Sequence, residues 1–109
     1  MVEFRIWKDK IGKGGILVGE TCEDGFVYRR HSEYYPMGLF LLGRDRMPYA
    51  WFVEWMKDRV FEPLRPDRDI LLKSIGLKEY NIVDIIEKTE GITLDDDYRI
   101  EVIRWRTIE

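Results

Sequence analysis

Glu23-Asp24-Gly25 stands between two apolar runs, Ile16-Leu17-Val18 and Phe26-Val27-Tyr28. Glycine accepts the positive φ that hairpin turns need, and the flanking runs are rich in β-branched and aromatic residues. We therefore expect an antiparallel hairpin whose second strand covers residues 26–30. A small antiparallel sheet is the first feature that the sequence predicts.

Strand periodicity also occurs near both ends of the chain. Residues 2–7 and 98–102 are apolar at every second position, which is typical of a strand. After Val102 the pattern changes phase, because Ile103 and Trp105 fall on the opposite face. A bulge near Val102 and a second, exposed apolar face are the two interpretations of this change.

Glycine marks two further turns in the first third of the chain. Residues 10–15 hold three glycines and should form a loop. The sequence Gly12-Lys13-Gly14-Gly15 departs from a phosphate-binding loop, since the lysine precedes the last glycines and a strand follows. A turn is also expected at Gly19-Glu20.

From Pro48 onwards the apolar spacing becomes helical. Proline suits a first helical turn, where its missing N–H would have no partner. The first helix should end before Pro63 and Pro66 and should bury one apolar side. Its apolar positions are Phe52, Trp55, Met56 and Val60.

Two more helices are expected after Pro66. Gly76 should follow the C-terminus of the second helix, and Asn81 should cap the N-terminus of the third, with Asp84 near its positive end. The apolar positions of these helices are Ile70, Leu71 and Ile75, then Ile82, Ile85 and Ile86, and the third helix should stop at Gly91. We expect one α+β domain over residues 1–109. It would contain a small antiparallel sheet, about three short helices and a C-terminal strand that rejoins the sheet.

The composition indicates a folded protein without a broad nucleic-acid footprint. The chain has 109 residues, 45% of them hydrophobic, and a net charge of −3. Direct nucleic-acid binding is therefore not expected, because it usually requires a basic excess. Cys22 is the only cysteine, and neither a signal peptide nor a membrane-spanning run is present in the sequence, so we expect a cytoplasmic protein.

The residues that could carry chemistry favour structural roles. His31 and Ser32 are adjacent, which does not supply the geometry of a catalytic triad, so a loop histidine is favoured. Asp95-Asp96-Asp97 lacks the spacing of a calcium loop and is expected to be a solvated turn that caps the final strand. We predict no catalytic residue, no metal site and no cofactor.

The aromatic group of the first helix has two interpretations. Trp51, Phe52, Trp55 and Phe61 are more large aromatics than one side of a short helix hides. In the first interpretation all of them are core. In the second, one tryptophan projects towards a partner, since tryptophan is enriched among interface hot spots.

The order of these motifs over residues 2–91 resembles the N-terminal subdomain of HipA-type toxin kinases. Val18-Gly19-Glu20-Thr21 is similar to a V-G-x-L turn of that family, and Phe26-Val27-Tyr28 is similar to its F-x-Y segment. The remaining matches, in the order of the family, are the apolar run 36–42, Trp51-Phe52 with Trp55, Val60-Phe61-Glu62-Pro63 with Arg65 or Arg68, Leu71-Leu72, Gly76, and Ile85-Ile86 with Gly91.

The resemblance implies a regulator rather than an enzyme, because the likeness ends where the kinase core of the family begins. Standalone subdomains of this kind resemble HipS, a small antitoxin that restrains a separate HipA-like kinase. The expected function is therefore to dock on and restrain such a kinase. The alternative is a phage or mobile-element inhibitor of a bacterial defence protein, such as a CRISPR nuclease. The residues expected to bind the partner protein are Tyr35, Phe40, Arg44, Trp51, Trp55 and Arg65.

Overall fold

The computed structural model describes residues 2–9, 15–31, 36, 39–40 and 44–104. These residues form an α+β fold with a five-stranded antiparallel sheet. Three helices lie between the fourth and fifth strands. The fold class expected from the sequence is confirmed.

The sheet brings the two ends of the described chain together. Its spatial order is β4-β3-β2-β1-β5. The last strand pairs with the first, so the prediction that it rejoins the sheet is confirmed. The strands are β1 (Val2–Lys8), β2 (Ile16–Thr21), β3 (Phe26–Arg29), β4 (Arg46–Pro48) and β5 (Tyr98–Arg104).

The β2–β3 hairpin has the predicted turn. The Cys22 N–H donates to the Phe26 carbonyl at 3.0 Å, and Gly25 adopts a φ of +85°. The turn expected at Gly19-Glu20 is wrong, because both residues lie inside β2. Gly19 packs closely against the core instead, since a Cβ there would lie only 3.3 Å from the Phe40 ring.

The one register shift in the described sheet lies between Ile6 and Trp7, where β1 pairs with β2. The pairing of β1 with β5 is unbroken from Val2↔Arg104 to Lys8↔Tyr98. Of the two interpretations of the phase change after Val102, the bulge is therefore wrong for the described part of β5. Ile103 lies on the opposite face from Val102 and is half-buried, while Trp105 lies outside the described residues.

The helices are α1 (Tyr49–Lys57), α2 (Arg68–Ser74) and α3 (Ile82–Thr89). The first helix is shorter than predicted, because it ends at Asp58 and leaves Val60 beyond its C-terminus. Strand β4, just before α1, was not predicted. Its three residues are too few to show a period, and they include a proline.

The predicted ends of α2 and α3 are confirmed. The Leu77 N–H donates to the Leu72 carbonyl at 2.8 Å and the Gly76 N–H to the Lys73 carbonyl at 3.0 Å, which is a Schellman ending. Asn81 accepts the Asp84 N–H at 3.1 Å and so caps α3.

The core lies between one face of the sheet and the helices α1 and α3. Phe4 of β1 and Phe52 of α1 meet edge to face, with ring centroids 5.2 Å apart. Ile86 of α3 and Ile100 of β5 both approach Gly91. The buried core residues are Phe4, Ile6, Val18, Val27, Leu39, Phe40, Met47, Phe52, Trp55, Met56, Ile86 and Ile100.

Among the described residues, no helix has the length and apolar character needed to cross a bilayer.

Candidate functional site

The residues expected to bind a partner are divided between core and surface. Phe40 and Trp55 are core side chains, 3% and 8% exposed, so this conformation leaves them almost no surface for a partner. Trp51, four positions before Trp55 on α1, is 43% exposed. One tryptophan of the helix is therefore core and the other projects outwards.

The two arginines of the predicted site are also exposed, but on separate parts of the chain. Arg44 precedes β4, and Arg65 lies between α1 and α2. Arg65 donates to Asp67 at 2.6 Å, and this carboxylate raises the pKa of the guanidinium. Tyr35 lies outside the described residues. The predicted site residues are therefore not one cluster in the described structure.

The sheet presents a second face that sequence reasoning did not single out. Side chains alternate along a strand, so the residues between the core positions point away from α1 and α3. The register aligns them in a row that crosses all five strands. This row is Arg46, Tyr28, Glu20, Arg5 and Glu101. We call the face that carries this row the outer sheet face.

Aromatic side chains of the outer sheet face are covered by arginines. The Arg46 guanidinium lies 4.4 Å from the centroid of the Phe26 ring, and that of Arg30 lies 5.2 Å from Tyr28. Trp7, next to the row on β1, has Arg99 at 5.4 Å. Such contacts are attractive because the face of an aromatic ring is negative. All three aromatic residues are half-buried rather than fully exposed.

Glutamates between the arginines hold them in place. Glu20 accepts from Arg30 at 2.7 Å and lies 3.8 Å from Arg5. Glu101 lies 3.8 Å from Arg5 and accepts the indole N–H of Trp7 at 3.2 Å. The outer sheet face is thus a connected network of aromatic and charged groups.

A buried arginine fixes the start of β5 against the end of α1. The Arg59 guanidinium donates twice to Asp96, at 2.8 Å each, and also to the carbonyls of Gly91 at 2.7 Å and Tyr98 at 3.0 Å. It lies 4.5 Å from the Trp55 ring centroid. Each nitrogen of this planar group therefore donates at least one hydrogen bond, which is the usual condition for burying a guanidinium.

This arrangement corrects the interpretation of the acidic turn. Asp96 does cap β5, since it accepts the Tyr98 N–H at 3.1 Å, as expected. Asp95 and Asp97 are exposed, as expected for a solvated turn, whereas Asp96 is half-buried against Arg59. No sequence signal linked Arg59 to Asp96, because the two are 37 positions apart and neither belongs to a repeated pattern.

A groove of about 520 Å³ lies beside the C-terminus of α1. Its apolar side is formed by Val60, Pro63, Tyr80 and Ile82. The Tyr80 hydroxyl donates to the Phe61 carbonyl at 2.7 Å, and the two rings meet edge to face at 5.7 Å. Burial, and then the charge of Glu62, raise the pKa of Tyr80.

The rim of the groove is mainly acidic. Glu54, Asp58 and Glu62 line it together with Lys57. Lys57 is paired with Glu54 at 3.0 Å. Within the described part of the chain, Asp58 and Glu62 have no ion pair through their side chains.

Neither a metal centre nor a nucleophile emerges from the described residues. No group of three or more His, Cys, Asp or Glu side chains in these ranges could hold a metal ion. His31 is half-buried, and Ser32 lies outside the described residues. Cys22 is half-buried, and burial raises the pKa of its thiol, so the reactive thiolate is disfavoured.

Comparison with protein-family models, curated proteins and solved structures gives no match to this chain.

Proposed function

We propose that this protein is a binding regulator, without catalysis of its own, that docks on a HipA-like kinase and restrains it. The observation that carries the proposal is the outer sheet face, where arginines lie over aromatic rings. A kinase is proposed as the partner because the order of motifs over residues 2–91 resembles the N-terminal subdomain of HipA-like kinases.

The chemistry of the outer sheet face suits a protein partner. Tryptophan, tyrosine and arginine are the residue types most enriched among interface hot spots. Glu20 and Glu101 each lie 3.8 Å from Arg5, so a partner would meet both charges side by side at the centre of the row. The mixture of both charges favours a complementary protein surface over a uniformly negative polymer.

The exposed residues Trp51, Arg44 and Arg65 do not belong to the row of the outer sheet face, and in this proposal they make separate contacts with the partner. Trp51 offers a large apolar surface on α1. Arg44, before β4, and Arg65, between α1 and α2, supply positive charge. Phe40 and Trp55 act indirectly, because they hold α1 and the sheet together in the core.

The proposal is tested by capture and reconstitution. The tagged protein is used to recover partners from its native host, and a recovered HipA-like kinase is then purified and assayed for autophosphorylation. We expect a stoichiometric complex and slower phosphorylation as the protein is added. Failure to form a complex, or an unchanged phosphorylation rate at saturating protein, contradicts the proposal. Recovery of a defence nuclease in place of a kinase also contradicts it and supports an inhibitor of host defence.

Two charge-reversal variants test whether the outer sheet face contacts the kinase. Arg46→Glu alters the row of the outer sheet face, where the guanidinium lies over the Phe26 ring and makes no ion pair within the described residues, although its charge contributes to the lowered pKa of Asp24. Lys78→Glu makes the same change of charge at an exposed position between α2 and α3. We expect about tenfold weaker kinase binding for Arg46→Glu and unchanged binding for Lys78→Glu. Equal kinase binding by both variants would show that the outer sheet face is not part of the interface.

A further inference from the structure

We propose that the groove beside α1 receives a basic segment of a partner protein that also carries an apolar side chain. The apolar side formed by Val60, Pro63, Tyr80 and Ile82 would take the apolar side chain, and the carboxylates of Asp58 and Glu62 would take lysine or arginine. This inference rests on the proposed function in one respect only, which is that the partner is a protein.

The size of the groove supports a side-chain ligand. Its volume of about 520 Å³ lies within the range of known ligand pockets. Val60 and Ile82 are half-buried and pack against the core, so this side of the groove is continuous with the interior. An apolar side chain inserted here would therefore displace water and contact residues that already pack against the core.

The walls of the groove are fixed before binding. The hydrogen bond from Tyr80 to the Phe61 carbonyl joins the segment after α1 to the segment before α3. The Asn81 cap then fixes the first turn of α3, where Ile82 lies. A preformed groove loses little conformational entropy when it is filled.

Charge decides which segment fits. Lys57 pairs with Glu54, and Asp58 and Glu62 make no ion pair within the described residues, although the charge of Glu62 also raises the pKa of the nearby Arg65. The raised pKa of Tyr80, to which Glu62 contributes, indicates that this carboxylate acts on the groove itself. A cationic side chain is therefore attracted, and an acidic segment is repelled.

The probe is the blocked peptide acetyl-Leu-Lys-Leu-Arg-Leu-amide, titrated into the full chain while backbone amide shifts are followed by NMR. We expect shifts concentrated at Asp58, Glu62, Tyr80 and Ile82. Added salt should weaken the binding, because exposed charges are screened. A peptide with glutamate in place of lysine and arginine should bind at least about tenfold more weakly. Equal binding of the two peptides, or shifts spread over the whole surface, would overturn the inference.

Matched variants test the two carboxylates directly. Asp58→Lys with Glu62→Lys should reduce peptide affinity about tenfold or more. Glu23→Lys with Asp45→Lys makes the same total change of charge at exposed positions that do not line the groove and should leave the affinity within about twofold. Equal losses in both double variants would show an effect of net charge alone and would overturn the inference.

The two proposals fail separately. If the peptide binds the groove but no kinase is recovered from the host, the proposed function is wrong and the groove remains a peptide site. If a kinase is recovered and restrained but the peptide does not bind, the groove inference is wrong and the proposed function stands.

Discussion

The two faces of the sheet differ sharply although the same strands build both. On the inner face, Phe4, Ile6 and Ile100 are fully buried under α1 and α3. On the outer sheet face, their immediate neighbours Arg5 and Glu101 pair with each other and with groups on adjacent strands. One face excludes water completely, and the other is held together by contacts that water can still reach.

This difference separates stability from recognition. Burial of apolar area supplies most of the free energy of folding, and the inner face has nearly all of it. The outer sheet face keeps aromatic rings half-buried beneath arginines that water can still reach, so its surface remains available to a partner. We expect substitutions on the inner face to change the unfolding free energy and those on the outer face to change binding.

The largest expected effect is that of Phe4→Ala. Phe4 is fully buried and contacts Phe52, so its removal leaves a cavity that the surrounding helix cannot fill. We expect a loss of about 3–5 kcal/mol in the free energy of unfolding, measured by urea denaturation.

Trp7→Ala is the matched variant on the outer face of the same strand. Trp7 is larger than Phe4 but only half-buried, and its indole N–H bonds the accessible Glu101. We expect a loss of less than half that of Phe4→Ala, about 1–2 kcal/mol. Equal losses at the two positions would mean that both faces contribute to the core.

The two tryptophans of α1 show the same contrast between a buried and an exposed side chain, here on a helix. Trp55 is buried against Phe52 and beneath the Arg59 guanidinium, whereas Trp51 is 43% exposed. We expect Trp55→Ala to lower the unfolding free energy by about 3 kcal/mol and Trp51→Ala by less than about 0.5 kcal/mol. A thermal melt of both variants measures this. If Trp51→Ala proved the more destabilising, the assignment of core and surface on α1 would be wrong.

The next largest effect should come from breaking the ion pair between Arg59 and Asp96. Asp96→Ala leaves the buried Arg59 guanidinium without its charge partner. The expected loss is about 2–3 kcal/mol, somewhat below that for a fully buried pair because Asp96 is partly accessible. Chemical denaturation measures it. Asp67→Ala, which breaks the exposed pair with Arg65, is the control and should leave the stability unchanged. A neutral result for Asp96→Ala would show that water replaces the carboxylate at no cost.

Most of the fold could be predicted because its signals are local. The turn at Gly25, the cap at Asn81 and the ending at Gly76 each depend on a few neighbouring residues, and each prediction is confirmed. The errors occurred where packing decides instead. Gly19 lies in a strand under the Phe40 ring, and α1 stops before Val60, whose neighbour Arg59 binds groups beyond α3.

The candidate site was less predictable for the same reason. The row from Arg46 to Glu101 joins residues that are far apart in the chain and become neighbours only through strand order and register. Hydrophobic spacing did mark the aromatic group of α1, but not which tryptophan is exposed. That depends on how α1 lies on Phe4. The groove likewise combines the end of α1 with the start of α3, two segments with no shared pattern.

Tyr80→Phe should have a smaller effect that depends on pH. Loss of the hydrogen bond to Phe61 should cost about 1 kcal/mol near pH 7. The folded-state pKa of Tyr80 is raised by burial and by Glu62. Its contribution is therefore complete below the unfolded pKa of about 10 and is lost as pH rises through the higher folded value.

The stability difference between wild type and Tyr80→Phe should therefore shrink above about pH 10. Urea denaturation at neutral and alkaline pH measures this difference directly. Tyr49, whose pKa burial also raises, remains in both proteins and so cancels in the comparison. A difference that stays constant or grows with pH would contradict the assigned direction.

The smallest effect should come from Glu20→Gln, at the centre of the outer sheet face. Glu20 pairs with Arg30 at 2.7 Å and with Arg5 at 3.8 Å, and both arginines remain accessible to water. Accessible pairs contribute little, so we expect a loss of less than about 1 kcal/mol in the unfolding free energy, and a still smaller one in concentrated salt. Denaturation at two salt concentrations measures it, with Glu87→Gln, which breaks an accessible pair with Arg104, as the control.

A loss comparable to that of Phe4→Ala, insensitive to salt, would mean that the row is part of the folding core. Because the proposed interface requires a row that can exchange its own contacts for those of a partner, that result would also remove the basis for docking through this face.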